Sequence, residues 1–309
     1  MYWDQGQFRN VTVTVEQGSD LNIASSPAGR VMTSTIFHIN GKLSWLGGDV
    51  TVAGAGTSTV VINPTGRFDI ISSGKWGSGA NYRTQNHGLV EVSLLGTSEL
   101  GGHYLSNGTT RVIAGTLFHS GNTEQTGGMY ELQNGATSKV TGADGLRIFD
   151  GGIHGIGKVD GTVKLGYEPG STDPGAIGAK PFIFAGLYNV RPEVNDVAGT
   201  ITITGNFEML SDGASMSATL DKGGGMSLVD VAGAAKLKGS LGLRMHQDYK
   251  PAAGTKVAFL KAAAITGDLT ESAPWWGPWW DSDKNVMWTL QKGGTEYSIE
   301  AKVIEMPPQ

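Results

Sequence analysis

Imidazoles are the first side chains to weigh, because histidine ligates metals and carries protons near neutral pH. The chain has six: His38, His87, His103, His119, His154 and His246. None stands in a His-x-His or His-Glu-x-x-His spacing, so local sequence offers no metal site, and no cofactor or catalytic group is expected from them. His87, His103 and His119 recur at a constant interval of 16, which is shorter than the glycine repeat described below, so turn or face positions are expected rather than one stacked group. Asp281-Ser282-Asp283-Lys284-Asn285 imitates the opening of a calcium loop, but the sixth position is Val286 instead of Gly and the twelfth is Lys292 instead of Glu. A solvated turn is the expectation there.

Carboxylates are the second candidates. Asp69, Glu91, Asp144, Asp150, Asp160 and Asp173 could supply acid–base chemistry on a glycan if two or more shared one face. Three or more Asp, Glu, Lys or Arg side chains converging in an outer groove is the arrangement that would sink a structural reading in favour of a carbohydrate-active one. Absent a register, solubilising positions explain these acids. Gly54-Ala55-Gly56 lacks a following helix and does not read as a phosphate cradle, and the Thr-x-Thr runs at Thr12/Thr14 and Thr200/Thr202/Thr204 need only β-propensity.

The most conspicuous local feature is Trp275-Trp276-Gly277-Pro278-Trp279-Trp280. Indole rings stack on sugars, fill interfaces or plug an open apolar end, so Trp275, Trp276, Trp279 and Trp280 are the candidate ligand-binding or assembly residues, with the plug favoured. No catalytic and no metal residue is assigned.

The elements that would position these groups are written in glycine. The chain has 309 residues with 48 Gly and no Cys, more than twice the usual glycine share of roughly 7%. A polar turn ending in Gly recurs before short alternating apolar runs: Gly18, Gly41, Gly66, Gly88, Gly108 and Gly135. Asn commonly precedes, as in Asn40-Gly41, Asn86-His87-Gly88, Asn107-Gly108 and Asn134-Gly135, which is turn chemistry tolerant of positive φ. Two architectures fit short strands so spaced, an antiparallel sandwich or barrel and a parallel solenoid. The long, irregular intervals favour the solenoid, one interval per coil. Helical signal is nearly missing, and Lys256 to Ala264 reads equally as a buried strand.

Composition limits partners. Charged residues are 17% with a net charge of -5, which argues against a nucleic-acid surface held by Lys and Arg. No apolar run approaches the ~18 to 20 residues of a membrane-spanning helix. Met1 lacks a signal-peptide pattern, and Trp3 and Trp45 look like equivalent positions about two coils apart. The chain therefore reads as starting inside a coil, part of a longer exported precursor. The predicted organisation is 1–165 for N-terminal solenoid coils, 166–197 for an inserted loop or lobe rich in proline, 198–270 for C-terminal coils and 271–309 for a Trp-rich capping region.

These residues resemble the β-strand-repeat surface proteins of bacteria, related to autotransporter and adhesin passengers. The likeness rests on the Asn-x-Gly-marked strands, on Trp45, Gly47 and Gly48, and on a C-terminal series. That series is Gly199 to Gly205, Gly213 to Leu220, Asp230-Val231-Ala232-Gly233, Gly239-Ser240-Leu241 and Pro251-Ala252-Ala253-Gly254. The resemblance implies an all-β fold, a right-handed parallel β-helix of pectin-lyase-like kind, outside the cell or on its surface. The expected function is a non-catalytic structural or adhesive rod or stalk that self-assembles into a filament or surface layer. Its partners would be further copies of itself or cell-surface glycans. The alternative is a carbohydrate-active β-helix, either a polysaccharide lyase or hydrolase or a tailspike-like glycan binder.

Overall fold

The computed structural model describes residues 1–309 except 25–28, 79–80, 169–178, 188–196, 247–248, 250–251, 272–279, 282–285 and 304–309. Among the described residues there are only strands, and they form parallel stacked coils, a β-solenoid. Alternation explains why: in run after run, such as Asp20–Ile23 and Ser58–Ile62, every second side chain turns inward, and most of these are apolar.

Three ladders run along the rod. The first stacks Tyr2–Trp3, Asp20–Ile23, Lys42–Trp45 and Arg67–Ile70, then passes through the longer strands to Phe182–Leu187, Ser215–Leu220 and Ser240–Met245. A second begins with Gly6–Arg9, Arg30–Thr33 and Val50–Val52, and a third with Thr12–Val15, Ile36–Ile39 and Ser58–Ile62. In the middle the corners stay in β-conformation, so that Thr123–Val140 and Leu146–Asp160 each contribute to all three ladders.

Register puts like beside like in the lumen. Leu21, Leu43, Phe68 and Val90 form one inward column, and Ile23, Trp45, Ile70 and Val92 the next. All are at most 1% exposed, and each such burial contributes about 1.5–3 kcal/mol. Trp3 and Trp45 do share a column, two rungs apart through Ile23.

The corner glycines act by close approach. A β-carbon on Gly66 would overlap the carbonyl of Ile39, one on Gly88 that of Gly66, and one on Gly108 that of Gly88. That corner is tight because the carbonyl of Gly66 accepts the amide of Leu89 at 3.1 Å, and that of Gly88 the amide of Thr109 at 2.8 Å. Gly41, Gly66, Gly88 and Gly108 lie outside the positive-φ region, so the expected left-handed turn is not what requires glycine there. The expected series also needs a change at its end: the next corner positions are Gly128 and Gly151, whereas Gly135 lies exposed between the first and second ladders with nothing near its missing side chain.

Within 166–197, Phe182–Leu187 is a rung of the first ladder. It pairs with the strand Leu146–Asp160 through Gly152 to Gly155 on one side and with Ser215–Leu220 on the other. Sequence reading loses the repeat across this stretch because the rung is flanked by long connections at two of its corners. At the far end the ladder polarity changes. Lys256–Lys261 pairs antiparallel with Glu296–Val303, which pairs antiparallel with Val286–Lys292. Trp288, Tyr297, Ile299 and Ala301 of this hairpin are buried and join Phe259, Leu260 and Leu269 in the core cluster.

Candidate functional site

On the outer face of the first ladder, register aligns Ser44, Asp69, Glu91, Arg111, Glu131 and His154 in one column. Lys42 and Arg67 stand beside it in an adjacent column. Rungs ~4.8 Å apart place successive side chains in contact. Lys42 Nζ lies 3.0 Å from Asp69, and Arg67 bridges Asp69 at 2.5 Å and Glu91 at 2.8 Å. Arg111 bridges Glu91 at 3.3 Å and also Glu131, and His154 Nε2 lies 3.4 Å from Glu131. Strands carrying these groups are pinned from inside by Phe68, Val90 and Tyr130, so the column is held on a rigid wall.

This is the convergence of charges that a carbohydrate-active protein would need, so its electrostatics decide what it can do. Burial works to raise the Glu131 carboxyl, but hydrogen bonds from His154 and Arg111, with the guanidinium charge, outweigh it and bring the group down to about 2. Arg67 is held above the ordinary guanidinium range by its hydrogen bond to Asp69, and Arg111 by its hydrogen bond to Glu131, against a smaller opposing effect of burial. A general acid needs a raised carboxyl and a general base a lowered cation, and each of these shifts runs the other way. Three cations, Lys42, Arg67 and Arg111, face three carboxylates, Asp69, Glu91 and Glu131. The column is a set of clamps between coils.

Behind it the lumen turns polar. Asn86 Nδ2 donates to Ser106 Oγ at 3.1 Å and to the Thr109 carbonyl at 2.9 Å, and the Tyr104 hydroxyl lies 2.6 Å from Thr110 Oγ1. His119 Nε2 lies 3.0 Å from the Tyr130 hydroxyl, which lies 2.7 Å from Ser138 Oγ. Burial moves Tyr104 up to about 12, and it raises Tyr82 and Tyr130 as well. It also lowers His119 to about 3, so that ring is neutral. Every one of these residues stands where the alternation demands an inward side chain, which is the signal that could have found them.

The sequence candidates scatter. Asp69 and Glu91 are brought together, and Glu131 and Arg111, not singled out in the sequence, complete their group. Asp144 instead meets Lys164 at 3.1 Å on the third ladder, where the Arg147 guanidinium lies 4.5 Å from the centre of the Phe149 ring. Asp160 accepts from Thr204 at 2.9 Å, and Asp150 from the amide of Gly151 at 2.7 Å. Asp173 lies outside the described residues. His103 faces out toward Glu124 at 3.3 Å and His87 toward Asn107 at 2.7 Å, whereas His119 is interior, so the three do not stack. Among the described residues no group of three His, Asp or Glu is arranged to hold a metal.

Trp275, Trp276 and Trp279 lie outside the described residues, as do positions 282–285 of the calcium-like loop. Trp280 opens the two-residue strand Trp280–Asp281, whose backbone pairs antiparallel with Val286 and Met287. Among the described indoles, the one that fills the C-terminal core is Trp288. No helix of the described residues is long and apolar enough to cross a membrane. No protein-family model and no curated protein sequence matches the chain.

Proposed function

We propose that this chain is a non-catalytic structural or adhesive β-solenoid, working outside the cell or on its surface as a rod or stalk. One observation carries the reading: Arg67 and Arg111 each bridge carboxylates of neighbouring coils, so the outer charges are spent on holding the stack. The surface location rests on the resemblance to bacterial β-strand-repeat proteins. Self-assembly into a filament or layer rests on the same resemblance. Electron microscopy of the purified chain over a range of concentrations tests this. Filaments or end-joined rods that lengthen with concentration are expected; strictly single rods at every concentration would remove the assembly part.

A glycan-handling reading is the alternative, favoured by the convergence of Asp69, Glu91 and Glu131 on one face. Asp69 and Glu91 stand on adjacent coils about 4.8 Å apart, close to the carboxylate separation used by retaining glycosidases, whereas Glu131 lies two coils from Glu91 with Arg111 between them. The lowered Glu131 and raised Arg67 and Arg111 speak for binding over turnover. Incubation with a panel of neutral and acidic polysaccharides decides the matter. Depolymerisation abolished by Glu131→Gln would sink the structural reading, and unchanged chain lengths are its expected result.

A further inference from the structure

The chain contains three Asn–Gly pairs, Asn40-Gly41, Asn107-Gly108 and Asn134-Gly135, and the fold treats them differently. In such a pair the amide nitrogen of glycine can attack the asparagine Cγ. The new C–N bond closes a five-membered succinimide, ammonia leaves with the side-chain nitrogen, and water then opens the ring to aspartate or isoaspartate. The attack needs a glycine amide free of hydrogen bonding, a side chain free to rotate and room for the backbone to swing.

Two pairs are denied all three. The amide of Gly41 donates to the Val15 carbonyl at 3.0 Å, and Asn40 Oδ1 accepts from Asn63 Nδ2 at 2.8 Å. Gly108 donates to the Asn86 carbonyl at 3.0 Å, and Asn107 Oδ1 lies 2.7 Å from the His87 ring. A β-carbon on either glycine would overlap the backbone of the coil beneath, so neither corner can swing.

At the third pair, among the described residues, neither a side-chain hydrogen bond of the asparagine nor a neighbour at the glycine restrains the turn. Gln133, Asn134 and Gly135 are exposed at the corner between the first and second ladders. The pairing with the next coil runs through Leu132 and resumes at Ala136, leaving these residues out of the register. Gly135 has φ +82 and nothing within 4 Å of where a side chain would be. We infer that Asn134 is a self-modification site, converting to aspartate and isoaspartate through a succinimide formed with the Gly135 amide, while the stack shields Asn40 and Asn107.

The test is peptide mass spectrometry on the purified chain held in mildly alkaline buffer at physiological temperature, alongside the same chain unfolded in urea. In the folded protein Asn134 should convert about tenfold faster than either other site, each of which must first break backbone hydrogen bonds. In urea the three should convert at similar rates, because the local sequence chemistry is the same. Asn134→Gln, which leaves the corner glycine in place, should remove the dominant acidic species on ion exchange. Similar rates at all three sites in the folded protein, or faster conversion at Asn40 or Asn107, would overturn the proposal.

Discussion

At the scale of single residues, the lumen tolerates neither an added methyl at a corner nor a proton at its centre. Gly88→Ala forces a β-carbon onto the carbonyls of Gly66 and Asn63 and should destabilise the rod by about 2–3 kcal/mol. Gly29→Ala, at an open position outside the positive-φ region, should be neutral or stabilising by about 0.5 kcal/mol. Denaturant midpoints of the two variants measure the contrast. His119 supplies the proton argument. Its folded pKa of about 3 lies below the ordinary 6.5, so the unfolded chain binds a proton that the folded chain refuses. Stability is therefore full above about pH 6.5 and falls as pH drops toward 3, by at most about 1.4 kcal/mol per unit. His119→Leu should lower stability at neutral pH yet flatten that acid slope, which urea titrations at stepped pH would record. Sequence alone makes glycine the corner residue but misjudges why, because Asn–Gly suggests positive φ whereas Gly66 and Gly88 are required by the coil beneath. Gly135 joins the expected series for the same reason: its local sequence is a turn, and only the stack distinguishes one corner from another.

At the scale of elements, coil-to-coil clamps should behave as a coupled unit. Removing Arg111 leaves Glu131 without its guanidinium partner and Glu91 with Arg67 alone. Arg111→Met should cost about 1–2 kcal/mol, Glu131→Gln less, and the double variant less than their sum. The double-mutant cycle reports the coupling, and added salt should shrink it. Because Glu131 is held near 2 against an ordinary value of 4.5, its contribution is present above about pH 4.5 and is lost as pH falls toward 2. Asp69 and Glu91 stood among the sequence candidates, but their alignment with Arg111 and Glu131 was not legible in the sequence. Asp69, Glu91 and Glu131 are separated by unequal intervals, since each coil absorbs its own bulges at the corners, and no fixed period predicts which acids stack. Most of the strands were legible, because inward alternation survives moderate changes in coil length.

At the scale of the molecule, strand polarity changes along the stack. The hairpin of Val286–Lys292 and Glu296–Val303 closes the second ladder with antiparallel strands and buries Phe259 against Tyr297 at 6.4 Å between ring centres. Ending the chain after Glu271 should strip this cover and expose an apolar strand edge, and light scattering with microscopy should show amorphous aggregates in place of the ordered rods or filaments of the full chain at equal concentration. The solenoid was legible from glycine spacing, whereas the rung Phe182–Leu187 was not, because long connections at its corners break the count. Stacked coils also have a mechanical meaning. Each rung is joined to the next by bonds that lie along the rod axis, so tension applied along that axis loads them one after another. The rod would lengthen in steps of one coil, roughly 65–90 Å of released chain at about 3.3–3.6 Å per residue. Steps through Asp69, Glu91, Arg111 and Glu131 would need the greatest force, since there the ionic clamps must part together with the backbone bonds. A rod built this way would yield in increments under load, and the coils joined by the ionic clamps would part last.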